Sequence, residues 1–293
     1  MKYAQGRRAG RDLWSAPFLP CYVGLRVFPK LFQYGDFFLP TYGVLVAIAF
    51  LVALWVTLKL ARRVGMNREL VTNLVVYSAL SGMLGAKLLM ILFDWDHFRQ
   101  NPTEIFSIST LQAAGVFQGG LIVAIVTAFL YLHHQKIAWL PVFDMFAPGI
   151  AIGHAIGRVA CFAAGCCWGT ECNLPWAVTF RNPDANALTG VPLRVRLHPS
   201  QLYELGTEAL LFGFLWWRFG KAHKPGTIIG AYLVLSSIAR FAIEFTRHHE
   251  QALPFGLPLS ITQWIAVALA LAGAYLLWAQ QGSSERAVPS PAR

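Results

Sequence analysis

Apolar runs long enough to cross a bilayer take up most of this sequence and leave it little else to fold into. A spanning helix needs roughly 17–25 predominantly apolar residues, because the hydrocarbon core holds no water to satisfy an exposed backbone. Such runs occur at Phe37–Leu60, Leu70–Phe93, Val116–Leu132, Leu140–Ile156, Leu202–Phe219, Thr227–Ile243 and Leu259–Trp278. Only 13% of the 293 residues are charged and 56% are hydrophobic, which excludes an ordinary soluble enzyme. The pattern predicts an all-α integral membrane protein with about seven transmembrane helices. Its expected organisation is an N-terminal extension over residues 1–36, a membrane domain over 37–279 and a disordered tail over 280–293 rich in Ser, Pro and Arg. One long extramembrane insertion, Thr170–Arg196, separates the fourth and fifth spans.

The net charge is +10, and the basic residues flank the spans instead of forming one stripe. That distribution suits anionic lipid headgroups and argues against nucleic acid. The first loop carries Lys59, Arg62, Arg63 and Arg68, and the fifth carries Arg218, Lys221 and Lys224. The second has Arg99 against Asp94, Asp96 and Glu104. Because basic loops stay inside, the odd loops and the C-terminus are expected in the cytoplasm. The Thr170–Arg196 insertion then forms a small extracytoplasmic head between helices four and five. Lys2, Arg7, Arg8, Arg11, Arg26 and Lys30 conflict with an external N-terminus, and no signal-peptide core precedes Phe37. A true start nearer Val27 reconciles them.

Ionisable side chains are costly at membrane depth, and those present usually face a cavity and act there. Arg158 follows the fourth run, with His154 four residues before it on the same helical face. Arg240, Glu244 and Arg247 fall at i, i+4 and i+7 of one face. Arg240 and Glu244 can pair, and the surplus guanidinium calls for an anion such as phosphate. Tyr42 reads as an interfacial anchor or a site residue, and Lys87 as a snorkelling or a phosphate-facing group. Gly119-Gly120, after Gln118, offers close backbone approach and anion-attracting amides. His198, Gln201, Tyr203 and Glu204 are more polar groups than capping of the fifth helix needs. Cys161, Cys166, Cys167 and Cys172 leave three readings open: small buried residues, disulfides, or a metal or redox site, although their spacing matches no standard zinc pattern.

Taken together, several of these segments resemble the phosphatidylglycerol–prolipoprotein diacylglyceryl transferases. They are Thr41-Tyr42-Gly43, Gly85-Ala86-Lys87, Gln118-Gly119-Gly120, Gly157-Arg158, His198 through Glu204, Arg240 through Arg247, and Ser260-Ile261-Thr262-Gln263. The resemblance runs from about Phe28 to Gly273. It implies a seven-helix multi-pass protein of the bacterial inner membrane. The implied reaction moves the diacylglyceryl group of phosphatidylglycerol onto the lipobox cysteine thiol of a prolipoprotein signal peptide and releases glycerol phosphate. By position Arg158 matches the family's lipid-binding arginine and Arg240 a second essential one. Tyr42, Glu244 and Arg247 match other polar residues of the family's cavity, and Lys87 and Glu204 complete the expected substrate-binding set. No metal or organic cofactor is implied.

Two departures stand out. Gln118 replaces the family's usual histidine and cannot titrate, so either His154 or His198 takes the proton or the arginines alone lower the thiol pKa. Cys161 and Cys166 stand where an asparagine and an acidic residue are usual. An alternative reading therefore makes the chain a non-transferase paralogue, a membrane thiol-redox or binding protein built on the cysteine cluster.

Overall fold

The structure, a computed structural model, describes residues 27–34, 37–107, 110, 115–247 and 259–282. The chain enters as a hairpin, β1 (Lys30–Tyr34) antiparallel to β2 (Phe37–Pro40), and then forms α1 (Thr41–Arg63) and α2 (Arg68–Phe93). A short α3 (Trp95–Gln100) precedes α4 (Phe117–His134) and α5 (Trp139–Ala164). A small head holds β3 (Val178–Thr179), α6 (Pro183–Thr189) and β4 (Arg196–Leu197). Helices α7 (Ser200–Phe219), α8 (Thr227–Glu244) and α9 (Ile261–Gly282) complete the order. Among the described residues, α1, α2, α5, α8 and α9 are long and apolar enough to cross a membrane, and α4 carries a shorter apolar stretch, Gln118–His134. Helix α7 has the length, but buries Gln201, Glu204 and Glu208.

Several boundaries differ from the apolar runs. Phe37–Pro40 is a strand, because an apolar run that short fits either secondary structure and here finds a partner in β1. The fourth helix continues past Ile156 to Ala164, where Gly165 at φ 77° closes it in the left-handed conformation. Arg158 is therefore inside α5 and not beyond its end. The inserted head occupies 165–199, more than Thr170–Arg196, and buries Val178, Phe180, Ala185, Val191 and Leu197 together with Val27. The last helix runs through Gly282, past Trp278. Of the expected extension, residues 1–26 lie outside the described residues, whereas Lys30 reaches the head through Asp184 at 2.9 Å. In the expected tail, residues 283–293 also lie outside them.

Small residues bring α2 and α4 together. A Cβ on Gly85 would meet the Gly119 carbonyl at 2.6 Å, and one on Gly119 would meet the Gly85 carbonyl at 2.5 Å. Such contact suits a membrane interior, where helices associate by packing. It also changes the reading of the glycine pair after Gln118. The Gly119 and Gly120 amides bond Val116 O at 3.1 and 3.3 Å, so they are not offered to an anion.

At the opposite end, Asp144 is buried near the start of α5 and caps a different helix. Its Oδ2 accepts from Gly226 N at 2.7 Å and its Oδ1 from Ile229 N at 2.8 Å, satisfying amides at the start of α8. Asp144→Ala should lower the thermal midpoint in detergent, corresponding to loss of a helix cap of about 1–2 kcal/mol. Asp144→Asn, which keeps an acceptor, should lose less.

Candidate active site

The side chains that matter lie at the head end of three helices. On α5, His154, Arg158 and Cys161 follow at i, i+4 and i+7 and share a face. On α7, Glu204 and Glu208 are stacked one turn apart. At the end of α8 come Arg240 and Glu244, with Arg247 just beyond. Arg247 is fixed by an isolated bridge to Gly169 of the head, and Thr170 N donates to Thr246 O at 2.8 Å beside it.

Glu204, 3% exposed, is the centre of this arrangement. Its Oε2 lies 2.7 Å from Arg158 Nη2, and its Oε1 lies 2.7 Å from Arg240 Nη1 and 3.4 Å from Arg247 Nη1. Glu244 binds Arg240 Nη2 at 2.7 Å and sits 4.0 Å from Arg247 Nε. Three guanidiniums thus meet two carboxylates, a surplus of one positive charge among these five groups. Glu208 is turned to His154 instead, with Oε1 at 3.1 Å from Nδ1, while Arg158 Nε donates to His154 Nε2 at 3.1 Å.

Helix α9 supports the cluster from behind. Ser260 N donates to Gln263 Oε1 at 2.9 Å and Gln263 N to Ser260 Oγ at 3.2 Å, a reciprocal capping box. The same Ser260 hydroxyl donates to Glu244 Oε1 at 2.9 Å, so the cap also holds the carboxylate that orients Arg240. Arginine side chains 16% (Arg158), 22% (Arg240) and 17% (Arg247) exposed remain reachable from outside. Each guanidinium has more N–H donors than these contacts use, so donors remain beyond those bound to the carboxylates.

The other expected site residues fall at different distances from this centre. Tyr42, 41% exposed near the start of α1, is within electrostatic reach of Arg158 and of Cys161, Cys166 and Cys167. Lys87 donates to Thr110 O at 2.5 Å, bracing α2. Gln118 is exposed in the first turn of α4, and its side chain makes no hydrogen bond among the described residues. His198 Nδ1 is 3.2 Å from Tyr203 Oη, which also accepts from Trp176 Nε1 at 2.8 Å, so this imidazole belongs to the head. Among the described residues Cys161, Cys166, Cys167 and Cys172 are free thiols, and the first three bring their sulfurs within 4.8 Å of one another. Glu208 escaped the sequence analysis, although its i+4 spacing from Glu204 was available to find it.

The sequence model of the family described as prolipoprotein diacylglyceryl transferase matches residues 29–279. The chain belongs to this family. It is 38% identical to the phosphatidylglycerol–prolipoprotein diacylglyceryl transferase of Bordetella bronchiseptica over 207 residues, 70% of this chain and 75% of that one. The enzyme of the same name from Methylobacillus flagellatus is 30% identical over 258 residues, 85% of this chain and 95% of the relative. That of Clostridium tetani is 31% identical over 219 residues, covering 75% and 85%.

Within this transferase-family chain, Glu204→Ala leaves three guanidiniums without their shared carboxylate. Breaking a buried ion pair from one side costs about 3–5 kcal/mol, so the thermal midpoint in detergent should fall well below that of Glu208→Ala. Equal midpoints for the two variants would contradict the hub role of Glu204.

Proposed function

We propose that this protein carries out the reaction in its relatives' name, as a multi-pass protein of a bacterial inner membrane. The diacylglyceryl group of phosphatidylglycerol passes to the thiol of the lipobox cysteine in a prolipoprotein signal peptide, and glycerol phosphate leaves. The observation that carries this reading is the meeting of Arg158, Arg240 and Arg247 on Glu204, with N–H donors left over at a partly open site.

The chemistry needs this arrangement. As the bond from the glyceryl carbon to the phosphate oxygen breaks, charge gathers on the leaving phosphate. Donors already fixed in place stabilise it without reorganising. Arg158 and Arg240 hold the phosphate from two helices, and Arg247 adds the third contact. Glu204 and Glu244 keep the guanidiniums oriented, while Tyr42, Lys87 and Gln118, at the same end of the bundle, border the approach of the headgroup. His154 bridges Glu208 and Arg158, and His198 shapes the head above it.

The same reading supplies the topology. Helices α4 and α7 complete a seven-span bundle, since α4 needs few further residues and the polar groups of α7 face inward to the cluster. Lys59, Arg62, Arg63, Arg218, Lys221 and Lys224 collect at the end away from the head, a distribution that supports a head outside the cytoplasm. The clamp then lies in the outer half of the membrane, where a secreted signal peptide arrives.

Transfer should be measured with purified protein in phosphatidylglycerol vesicles and a synthetic lipobox peptide, reading the thioether by mass spectrometry. Arg158→Lys should lower the rate about 10²–10³-fold, as expected for removing an oriented donor to a developing anion. Arg62→Ala, at the far end, should leave it unchanged. Failure of the unaltered chain to form the thioether would overturn the proposal.

A further inference from the structure

We propose that Cys161, Cys166 and Cys167 form a zinc site whose open fourth position takes the thiol of the incoming lipobox cysteine. The three sulfurs lie within 4.8 Å of one another, close to the roughly 3.8 Å edges of a tetrahedron with ~2.3 Å zinc–sulfur bonds. The fold builds this convergence deliberately. Helix α5 supplies Cys161, and the left-handed Gly165 ends the helix and turns the chain back. Cys167, not a glycine, is then held at φ 59°, a conformation L side chains rarely adopt. Gln201 Nε2, buried on α7, pins the turn by donating to Cys166 O at 2.6 Å.

Charge and access agree with a metal. Three thiolates around a divalent cation leave a net charge of −1, and Arg158 Nη1 stands 3.9 Å from Cys161 Sγ. Cys161 is buried, whereas Cys166 and Cys167 are only partly so, which leaves one side of the triangle open. Catalytic zinc sites have this form, three protein ligands and one open position, and structural sites close the fourth. Cys172, in the head, is the remaining cysteine among the described residues and is not part of the group.

The inference rests on the transferase reading and adds to that site a direct means of making a thiolate. Gln118 cannot titrate, and His154 and His198 are already engaged by Glu208 and Tyr203. A thiol that binds zinc gives up its proton to solvent. Its sulfur lone pair then attacks the glyceryl carbon bearing the phosphate. The sulfur–carbon bond forms, the carbon–oxygen bond breaks, and that electron pair leaves on the phosphate oxygen held by Arg158 and Arg240. The product is a thioether and glycerol phosphate, no electrons are exchanged with any other reagent, and the neutral thioether sulfur leaves the metal.

The test uses full-length protein purified in detergent with thiols kept reduced. Elemental analysis should give about one zinc per chain, lost in the Cys161→Ser/Cys166→Ser/Cys167→Ser variant and kept in Cys172→Ser. The cobalt-substituted protein should show sulfur-to-cobalt charge-transfer bands, and its visible bands should shift on adding lipobox peptide but not its Cys→Ser counterpart. Absence of metal, or a disulfide among the three cysteines in protein alkylated before lysis, would overturn the site. Bound cobalt whose spectrum ignores the peptide while transfer proceeds would overturn the role of the fourth position. If no transfer occurs at all, the transferase reading fails, while the cobalt spectrum still decides the metal.

Discussion

Three guanidiniums gathered at the head end of a membrane bundle repel one another. Glu204 makes the gathering possible. Buried on α7, it receives Arg158 from α5 on one oxygen and Arg240 and Arg247 from the end of α8 on the other. One carboxylate therefore ties three segments into a single geometry. The bond is costly to make in isolation, because both partners lose water, and it holds only because neighbours share the charge. Glu244 carries part of it, and the Ser260 hydroxyl fixes Glu244 in turn.

The remainder of the bundle keeps that end rigid. The Gly85–Gly119 crossing locks α2 onto α4, and Asp144 ties the start of α8 to α5 at the other end. The head closes over the site through the Gly169–Arg247 bridge, so the third arginine is positioned by the head as much as by its helix. The sulfur triangle grows from the same junction, since the turn that ends α5 also begins the head. Clamp and thiols are thus neighbours by construction.

Much of this was legible in the sequence, for physical reasons that differ by residue. Apolar run length marked the helices, and helical spacing put His154 with Arg158 and Arg240 with Glu244. Spacing along one helix cannot show which helices meet, so the surplus charge read on α8 did not reveal that Glu204 answers most of it. Boundary errors arose where composition is neutral between states: Phe37–Pro40 suits strand or helix, and Gly157 does not stop a helix already packed on both sides. The glycines after Gln118 looked like an anion site because sequence shows an absent side chain, not the α2 backbone that fills its place. The cysteine spacing matched no standard zinc pattern, yet two left-handed residues, Gly165 and Cys167, turn the chain so that three sulfurs come together.

The central claim is that Arg158 and Arg240 grip one and the same phosphate. A double-mutant cycle on the transfer rate tests it most directly, using Arg158→Ala, Arg240→Ala and the pair together. Groups that act as a unit on one leaving anion are strongly non-additive, so the double variant should be little slower than the slower single one. Losses that multiply in the double variant would mean that the two arginines act independently, and a shared phosphate clamp would be contradicted.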